Sequence, residues 1–233
     1  MLLSPVEVLL QELGPRLLRA SHVGARKVPT RPLATGLREI DALLEGGFPR
    51  GGLSEIAGPV SSGRTSLALA LLAHTTRAGE VAALVDAADA FDPGSAEAAG
   101  VALARVLWAR PASPPEAARC SQRLLETHGF ALVVLDLAHA GRPGASPRLP
   151  RATWQRLARA ARATGTALVV LSAAPCTQGC ADLALAMQAL RAHFAGTPTL
   201  LEALEIEAAV ARQRAGARRR SASLRLALHL RAA

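Results

Sequence analysis

A glycine-rich stretch at residues 58–66, GPVSSGRTS, has the residue types of a phosphate-binding loop. It matches the pattern G-x-x-x-x-G-K-[ST] at Gly58, Gly63 and Thr65, but Arg64 stands at the lysine position. In such a loop, backbone N–H groups and the lysine ammonium hold the phosphates of a nucleotide. A planar guanidinium is bulkier than an ammonium and does not fit between the β- and γ-phosphates in its place. The stretch therefore predicts a vestigial nucleotide site, formed by Gly58, Ser61, Ser62, Gly63, Arg64 and Thr65.

An acidic residue that could complete such a site ends a hydrophobic segment further along the chain. Asp136 closes the run ALVVLD, and a carboxylate in this position normally helps to hold the magnesium ion of a bound nucleotide. The loop and this aspartate, in this order, predict a P-loop NTPase fold. A second explanation of Arg64 stays open, because Lys27 is the only lysine and arginine is used everywhere else, as in proteins of GC-rich genomes.

The loop needs a strand before it and a helix after it, and the sequence supplies both as LSEIAG and TSLALALLAHTTRAG. Beyond them, strand and helix signals alternate, which is typical of an α/β fold with a mostly parallel central sheet. Predicted strands cover residues 81–85, 106–108, 131–137 and 167–172, and predicted helices cover 113–128 and 151–164. Three further strands at 183–194, 204–212 and 222–230 predict an antiparallel C-terminal extension of the sheet.

The N-terminal segment, residues 1–32, is predicted to be a helix followed by a basic linker. Ser4-Pro5-Val6-Glu7 is a capping box with proline at the first helical position. The apolar stripe of Val6, Leu9, Leu10 and Leu13 on this helix serves either a contact with a partner or packing within the chain. The core is predicted to span residues 33–233, with the antiparallel strands beginning at about residue 183.

Composition limits the class of protein. The chain has 233 residues of which 50% are hydrophobic, which indicates a folded globular protein. We expect a cytoplasmic protein with no membrane contact, because no apolar run approaches the roughly 18 residues of a membrane span and the N-terminus lacks a basic signal-peptide region. The three cysteines are expected to be reduced and to bind no metal. The net charge of +9 suggests a polyanionic partner.

Residues 33–172 resemble the RecA and KaiC-like recombinase ATPases. The pattern of that family is a T-G-x-x-x-[LI]-D segment, a G-G-[LF]-P-x-G turn and the loop G-P-x-S-S-G-K-T. The matching residues ahead of the loop are Thr35, Gly36, Ile40, Asp41, Gly47, Phe48, Pro49 and Gly51. The stretch AALVDAADAFDP then resembles the RecA sequence D-A-E-H-A-L-D-P, with Asp92 at the second aspartate. The resemblance implies a RecA-like P-loop NTPase core whose nucleotide site includes Asp92 and Asp136.

Two further positions depart from the family pattern. Ala88 stands where RecA has its catalytic glutamate, and Ser172-Ala173 stand where the family has an Asn-Gln pair that senses the γ-phosphate. Loss of a positioned general base costs about a hundred- to ten-thousand-fold in rate. With Arg64, these departures imply a protein that requires no cofactor and binds ATP and magnesium weakly or not at all.

RecA-like chains of this length with such losses resemble the ImuA family. That resemblance implies a non-catalytic accessory or adaptor protein in SOS-linked translesion DNA synthesis and induced mutagenesis. Its implied partners are an ImuB-like Y-family polymerase homologue and RecA. The alternative is an active DNA-dependent ATPase, a recombinase paralogue that binds DNA and forms filaments.

The C-terminal part is the candidate partner-binding segment. No acidic residue follows Glu207, whereas the stretch RQRAGARRRS and its flank contain Arg212, Arg214, Arg218, Arg219 and Arg220. These arginines fit an acidic protein surface, which is favoured, and nonspecific DNA is the alternative. The 3% aromatic content and the absence of tyrosine argue against stacking on single-stranded bases. Two other basic segments either contact DNA or are merely solvated. They are residues 138–151 and the helix face of Arg156, Arg159 and Arg162. For the helix face, solvent exposure is favoured.

Overall fold

The computed structural model describes residues 31–138, 148–195, 200–213 and 220–227. The strands in these ranges are β1 (Leu53–Ala57), β2 (Val81–Asp86), β3 (Val106–Ala109), β4 (Phe130–Asp136), β5 (Ala167–Ser172), β6 (Leu183–Ala195), β7 (Leu200–Gln213) and β8 (Ser221–Ala227). The helices are α1 (Arg38–Leu43), α2 (Arg64–Arg77), α3 (Pro93–Ala98), α4 (Pro114–Glu126) and α5 (Arg151–Thr164), with a 3₁₀ turn at Leu103–Arg105. The predicted N-terminal helix lies outside the described residues and stays a prediction.

The strands form one eight-stranded sheet in the order β3-β2-β4-β5-β1-β6-β7-β8. All pairs from β3 to β6 are parallel, and β6–β7 and β7–β8 are antiparallel. The predicted α/β class, with a mostly parallel sheet and an antiparallel C-terminal extension, is confirmed. One detail differs, because β6 pairs in parallel with β1 before it turns back into β7.

Both faces of the parallel sheet are covered, which explains why its strands read as continuous apolar runs. On β4, Leu132 and Val134 pack into the cluster that contains α1 and α2, whereas Val133 and Leu135 pack into the cluster that contains α4 and α5. Successive side chains of a strand point to opposite faces. Helix α2 therefore lies on the opposite face of the sheet from α4 and α5.

The two family motifs ahead of the loop, at residues 35–41 and 46–51, stabilise the local backbone. The Asp41 carboxylate of α1 accepts hydrogen bonds from the Thr35 N–H at 2.8 Å, the Thr35 hydroxyl at 2.8 Å and the Gly36 N–H at 3.0 Å. Gly47 has φ +129°, and a Cβ there would lie 2.2 Å from the Leu33 carbonyl oxygen. Only glycine fits this close approach, so both motifs fix the turn that leads into β1.

Helix α3 is not among the predicted elements. Its Ncap is Asp92, whose carboxylate accepts the Ser95 N–H at 2.8 Å, and Pro93 stands at its first position. The signal D-P-x-S was present in the sequence, but the helix has only six residues and too short an apolar pattern to reveal its period.

Candidate nucleotide site

The glycine-rich loop connects β1 to α2, which is the strand–loop–helix setting that the sequence predicts. The Gly58 N–H donates to the Ser172 carbonyl at 3.1 Å, so the end of β5 holds the start of the loop. A Cβ on Gly58 would lie 2.5 Å from the Met187 carbonyl oxygen of β6. Gly58 is therefore a glycine because the backbone of a neighbouring strand touches it.

The tip of the loop turns through left-handed backbone conformations. Ser61 has φ +63°, and Gly63, which is the Ncap of α2, has φ +83°. Ser62 is buried, and within the described residues its hydroxyl has no hydrogen-bond partner. Thr65 is exposed on the first turn of α2. The left-handed conformation at the start of α2 therefore explains the glycine at position 63.

Arg64 lies inside the loop rather than above it. Its side chain is 3% exposed, and its guanidinium donates hydrogen bonds to the carbonyl oxygens of Gly58 and Pro59. Burial lowers the pKa of Arg64, and the Asp136 carboxylate opposes this shift. The Nη1 group of Arg64 is thus bound to the backbone of its own loop.

Asp136 and Asp86 end the neighbouring strands β4 and β2 and are in register with each other. Asp136 accepts the Ala138 N–H at 2.8 Å. Asp86 is buried and accepts the N–H groups of Ala88 at 3.2 Å and Phe91 at 2.8 Å. Asp136 therefore remains at the carboxyl edge of the sheet, while Asp86 fixes the turn that follows β2.

The two alanines of the altered family positions lie at this same edge. Ala88 follows β2, and its N–H is bound to Asp86. Ala173 directly follows the last residue of β5, Ser172. A methyl group neither accepts nor donates a proton, so neither side chain can orient or activate water.

The carboxylate next to Ala88 is engaged elsewhere. Asp89 accepts a hydrogen bond from Nε of Arg110 at 2.6 Å and forms an ion pair with the same guanidinium. That hydrogen bond holds the pKa of Asp89 below its ordinary value. The Arg110 guanidinium also lies 5.0 Å from the centroid of the Trp108 ring, so Asp89 is tied to the end of β3.

Asp92, placed in the site by resemblance, has a local role in the structure. It is exposed, and its pKa is lowered by hydrogen bonds from the side chain and backbone of Ser95. Its carboxylate caps α3, as expected for Asp at an Ncap.

A buried carboxylate that the sequence analysis did not identify, Glu55, lies on β1, the strand that leads into the loop. Glu55 of β1 is 3% exposed and accepts the Cys176 N–H at 2.6 Å, the Thr177 N–H at 3.1 Å and the Thr177 hydroxyl at 2.8 Å. It joins the loop-bearing strand to the turn after β5. A charged residue inside the apolar strand LSEIA was the available signal, because a buried charge requires partners.

The described part of the candidate partner-binding segment is attached to the body of the protein. Arg220 forms an ion pair with Glu45 at 2.7 Å and donates to Gln213 at 3.1 Å. The Arg212 guanidinium lies over Gly179, with Nη1 2.6 Å from the position of a Cβ there. Arg214, Arg218 and Arg219 lie outside the described residues, and their role stays a prediction.

Comparison with known proteins decides the family. The RecA N-terminal domain model matches residues 20–183. The chain belongs to the RecA family. Among the relatives of this RecA-family chain, RecA of Rubrobacter xylanophilus is 40% identical over 121 residues, covering 52% of this chain and 35% of that protein. RecA of Chlorobaculum parvum is 42% identical over 107 residues, covering 46% and 31%. The chain thus spans about a third of the length of these relatives.

A solved structure supports the RecA-like fold. The crystal structure of the RadB recombinase matches with a TM-score of 0.63 and 24% identity, covering 82% of this chain and 94% of that one. In the part of this RecA-family chain that the structure describes, no helix is long and apolar enough to cross a membrane. Cys120, Cys176 and Cys180 are free thiols.

Proposed function

We propose that this RecA-family chain is an accessory protein that does not hydrolyse ATP and that acts through protein contacts in SOS-linked translesion DNA synthesis. Its proposed partners are an ImuB-like Y-family polymerase homologue and RecA. The observation that carries the proposal is the Arg64 guanidinium, which binds the Gly58 and Pro59 carbonyls of its own loop.

Three positions support the absence of hydrolysis together. Arg64 directs its donors at the loop, Ala88 offers no base for water, and Ala173 offers no contact for a γ-phosphate. Catalytic groups that act as a unit do not recover when one is restored. The chain accordingly requires no cofactor, and it binds ATP and magnesium weakly or not at all.

ATP turnover tests this directly. We expect the wild-type chain and Arg64→Lys to release phosphate no faster than buffer, with and without single-stranded DNA, while a RecA protein in the same assay is active. Turnover by the wild type that single-stranded DNA stimulates would instead assign the alternative, an active DNA-dependent ATPase that forms filaments.

Nucleotide binding needs its own measurement, because binding can persist without turnover. A ligand at a hundred times its Kd stabilises a protein by about 2.7 kcal/mol. We expect millimolar Mg·ATP to leave the melting temperature unchanged in the wild type. A rise in melting temperature that Arg64→Met abolishes would contradict weak binding and identify Arg64 as a phosphate ligand.

The partner contacts are tested at the C-terminal arginines. Arg218→Ala/Arg219→Ala should weaken binding to the ImuB-like protein or to RecA and reduce damage-induced mutagenesis, whereas Arg220 is left intact because it holds Glu45. Arg31→Ala/Arg38→Ala is the control of equal charge, since both residues are exposed and lie at the start of the described chain. Equal binding by the wild type and both variants would remove the segment from the interface.

A further inference from the structure

Strand β6 extends past the end of its parallel partner β1. The two strands pair only from Ser54 and Leu183 to Ala57 and Ala186. On its other side, β6 remains paired with β7 as far as Ala195. Among the described residues, no strand pairs with the β1 side of residues 188–195. We call this side of residues 188–195 the free edge of β6.

Two large apolar side chains of this segment face solvent. Leu190 is 49% exposed and Phe194 is 60% exposed. The register of β6 with β7 shifts next to each of them. A β-bulge bends a strand and redirects its side chains, which explains why these two residues do not continue the buried apolar series at the start of β6. Apolar side chains that are exposed together rather than singly mark interaction sites.

The charge of the segment is positive. Residues 183–201 contain no Asp or Glu, and Arg191 is exposed between the two apolar residues. Its register neighbour on β7 is Glu205, whose Oε2 lies 3.4 Å from Nε2 of His193. Within the described ranges, Arg191 itself forms no ion pair. A strand added to the free edge approaches from the side away from β7, so its carboxylate would meet Arg191 and no carboxylate of β6.

These features select the kind of occupant. Unpaired backbone groups of a strand edge are satisfied by an extended segment, which adds to the sheet as a further strand. A second copy of the same edge fits poorly, because antiparallel pairing would bring two copies of Arg191 together with no Asp or Glu on either edge. Like charges placed opposite each other destabilise a strand pair. An acidic segment of a different protein meets neither objection.

We infer that the free edge of β6 binds an extended acidic segment of a partner protein as an added strand. Main-chain hydrogen bonds supply affinity, and contacts with Leu190, Phe194 and Arg191 select a segment that has an acidic residue between apolar ones. The inference rests on the proposed function, in which the chain acts through protein contacts. It adds a surface separate from the C-terminal arginines, since Arg212 is in register with Ala184 at the other end of β6.

Peptide selection tests the inference without a known partner. Random 12-residue peptides displayed on phage are selected on the wild-type chain, and a synthetic copy of a selected peptide is titrated by fluorescence anisotropy. We expect the selected sequences to share an acidic residue flanked by apolar residues. The edge variant, Leu190→Ser/Phe194→Ser, should bind the peptide about tenfold more weakly or worse. The control is Val81→Ser/Leu107→Ser, which removes two exposed apolar side chains from β2 and β3 and should bind like the wild type.

Charge and backbone are tested separately with the same peptide. Arg191→Glu should weaken binding by about tenfold, and lysine in place of the acidic residue of the peptide should restore it, whereas Arg225→Glu on β8 is the control of equal charge. N-methylation of alternate peptide residues removes the N–H donors along one edge of an extended strand. We expect one alternating set to abolish binding and the other to leave it unchanged, because only one edge of the added strand pairs.

Several results would overturn the inference. They are failure to select any peptide, equal losses in the edge variant and its control, and loss of binding with both N-methylated sets, which would indicate a bound helix. Self-association of the wild type in analytical ultracentrifugation that the edge variant abolishes would assign the edge to a second copy. Melting temperatures equal to that of the wild type confirm that the variants are folded.

Parallel titration with the full-length ImuB-like protein and with RecA separates this inference from the proposed function. If both proteins bind the wild type and the edge variant equally and no peptide is selected, the inference is wrong and the proposed function stands. If neither protein binds the wild type, the proposed function fails, while a selected peptide that depends on Leu190, Phe194 and Arg191 still supports the free edge as a binding site.

Discussion

The Asp136 carboxylate at the end of β4 acts on the buried Arg64 guanidinium at the start of α2, raising its pKa against the larger lowering by burial. Strand β5 separates β4 from β1, so the interaction connects two parts of the carboxyl edge that no backbone hydrogen bond joins. Arg64 also binds the Gly58 and Pro59 carbonyls. The same guanidinium thus interacts with the loop after β1 and with the end of β4.

The first prediction concerns this internal cation. Arg64→Met removes the donors of two loop carbonyls and the positive charge near Asp136, and breaking a buried charge interaction costs about 3–5 kcal/mol. We expect urea titration to give a free energy of unfolding lower by about 3 kcal/mol. Arg64→Lys keeps the charge and should lose less. A Met variant as stable as the wild type would mean that Arg64 has no structural role.

The second prediction concerns Glu55, which accepts three hydrogen bonds from Cys176 and Thr177. Glu55→Gln places an amide NH₂ in a site of donors, and a buried group without a partner costs about 1–3 kcal/mol. We expect a loss of about 2 kcal/mol in urea unfolding. The control is Glu45→Gln, which breaks only the exposed pair with Arg220 and should cost less than about 1 kcal/mol. Equal effects of both changes would refute the supporting role of Glu55.

The third prediction concerns the order of thiol reactivity. Burial, and then the nearby Glu55 carboxylate, raise the pKa of Cys176, and burial, followed by the Glu116 charge, raises that of Cys120. Because the thiolate is the reactive form, a raised pKa slows alkylation at a given pH. In the native protein at pH 8 we expect iodoacetamide to modify Cys180 first and Cys176 last, as followed by peptide mass spectrometry. Early labelling of Cys176 would show that the turn after β5 opens readily.

The fourth prediction concerns acid and the pair of Asp89 and Arg110. Hydrogen bonding from Arg110 lowers the pKa of Asp89 in the folded protein. The contribution of the pair to stability is therefore complete above the ordinary pKa of about 3.9 and is lost as the pH falls through the lowered folded value. We expect NMR titration to return the pKa of Asp89 to its ordinary range in Arg110→Ala. An unchanged low pKa in that variant would assign the shift to another group.

The sequence predicted the parts of the fold that depend on local pattern. The buried runs at β4 and β5, the loop between β1 and α2, and the ends of α2 and α5 follow from apolar periodicity and from glycines at φ +84° and +78°. Helix α3 was not predicted because six residues with one capping aspartate are too few to show a helical period of apolar residues. The parallel pairing of β6 with β1 was not predicted because the sequence of a strand does not identify a pairing partner that is distant along the chain.

The candidate site was predictable as a set of residue types but not as a set of contacts. The sequence identifies Arg64 as an altered lysine position, yet only the structure places its guanidinium on the Gly58 and Pro59 carbonyls. Asp92 matched the family position, but its hydrogen bond to Ser95 gives it a capping role. The direction of a polar side chain depends on which hydrogen-bond donors and acceptors lie nearby without another partner. These groups are known only when the complete fold is known.

Strand β1 lies between β5 and β6, two strands that are synthesised much later. This position limits the order in which the strands of the sheet can pair. Leu53 is in register with Leu168 and Ser54 with Leu183, whereas β6 pairs with the next strand, β7, and β7 pairs with the next strand, β8. Long-range pairing forms slowly, because its loop-closure entropy precedes any gain from contacts. On the ribosome, LSEIA therefore emerges long before its neighbours. Until they are synthesised, we expect the charge of Glu55 to disfavour pairing of this apolar strand with the same strand of another nascent chain.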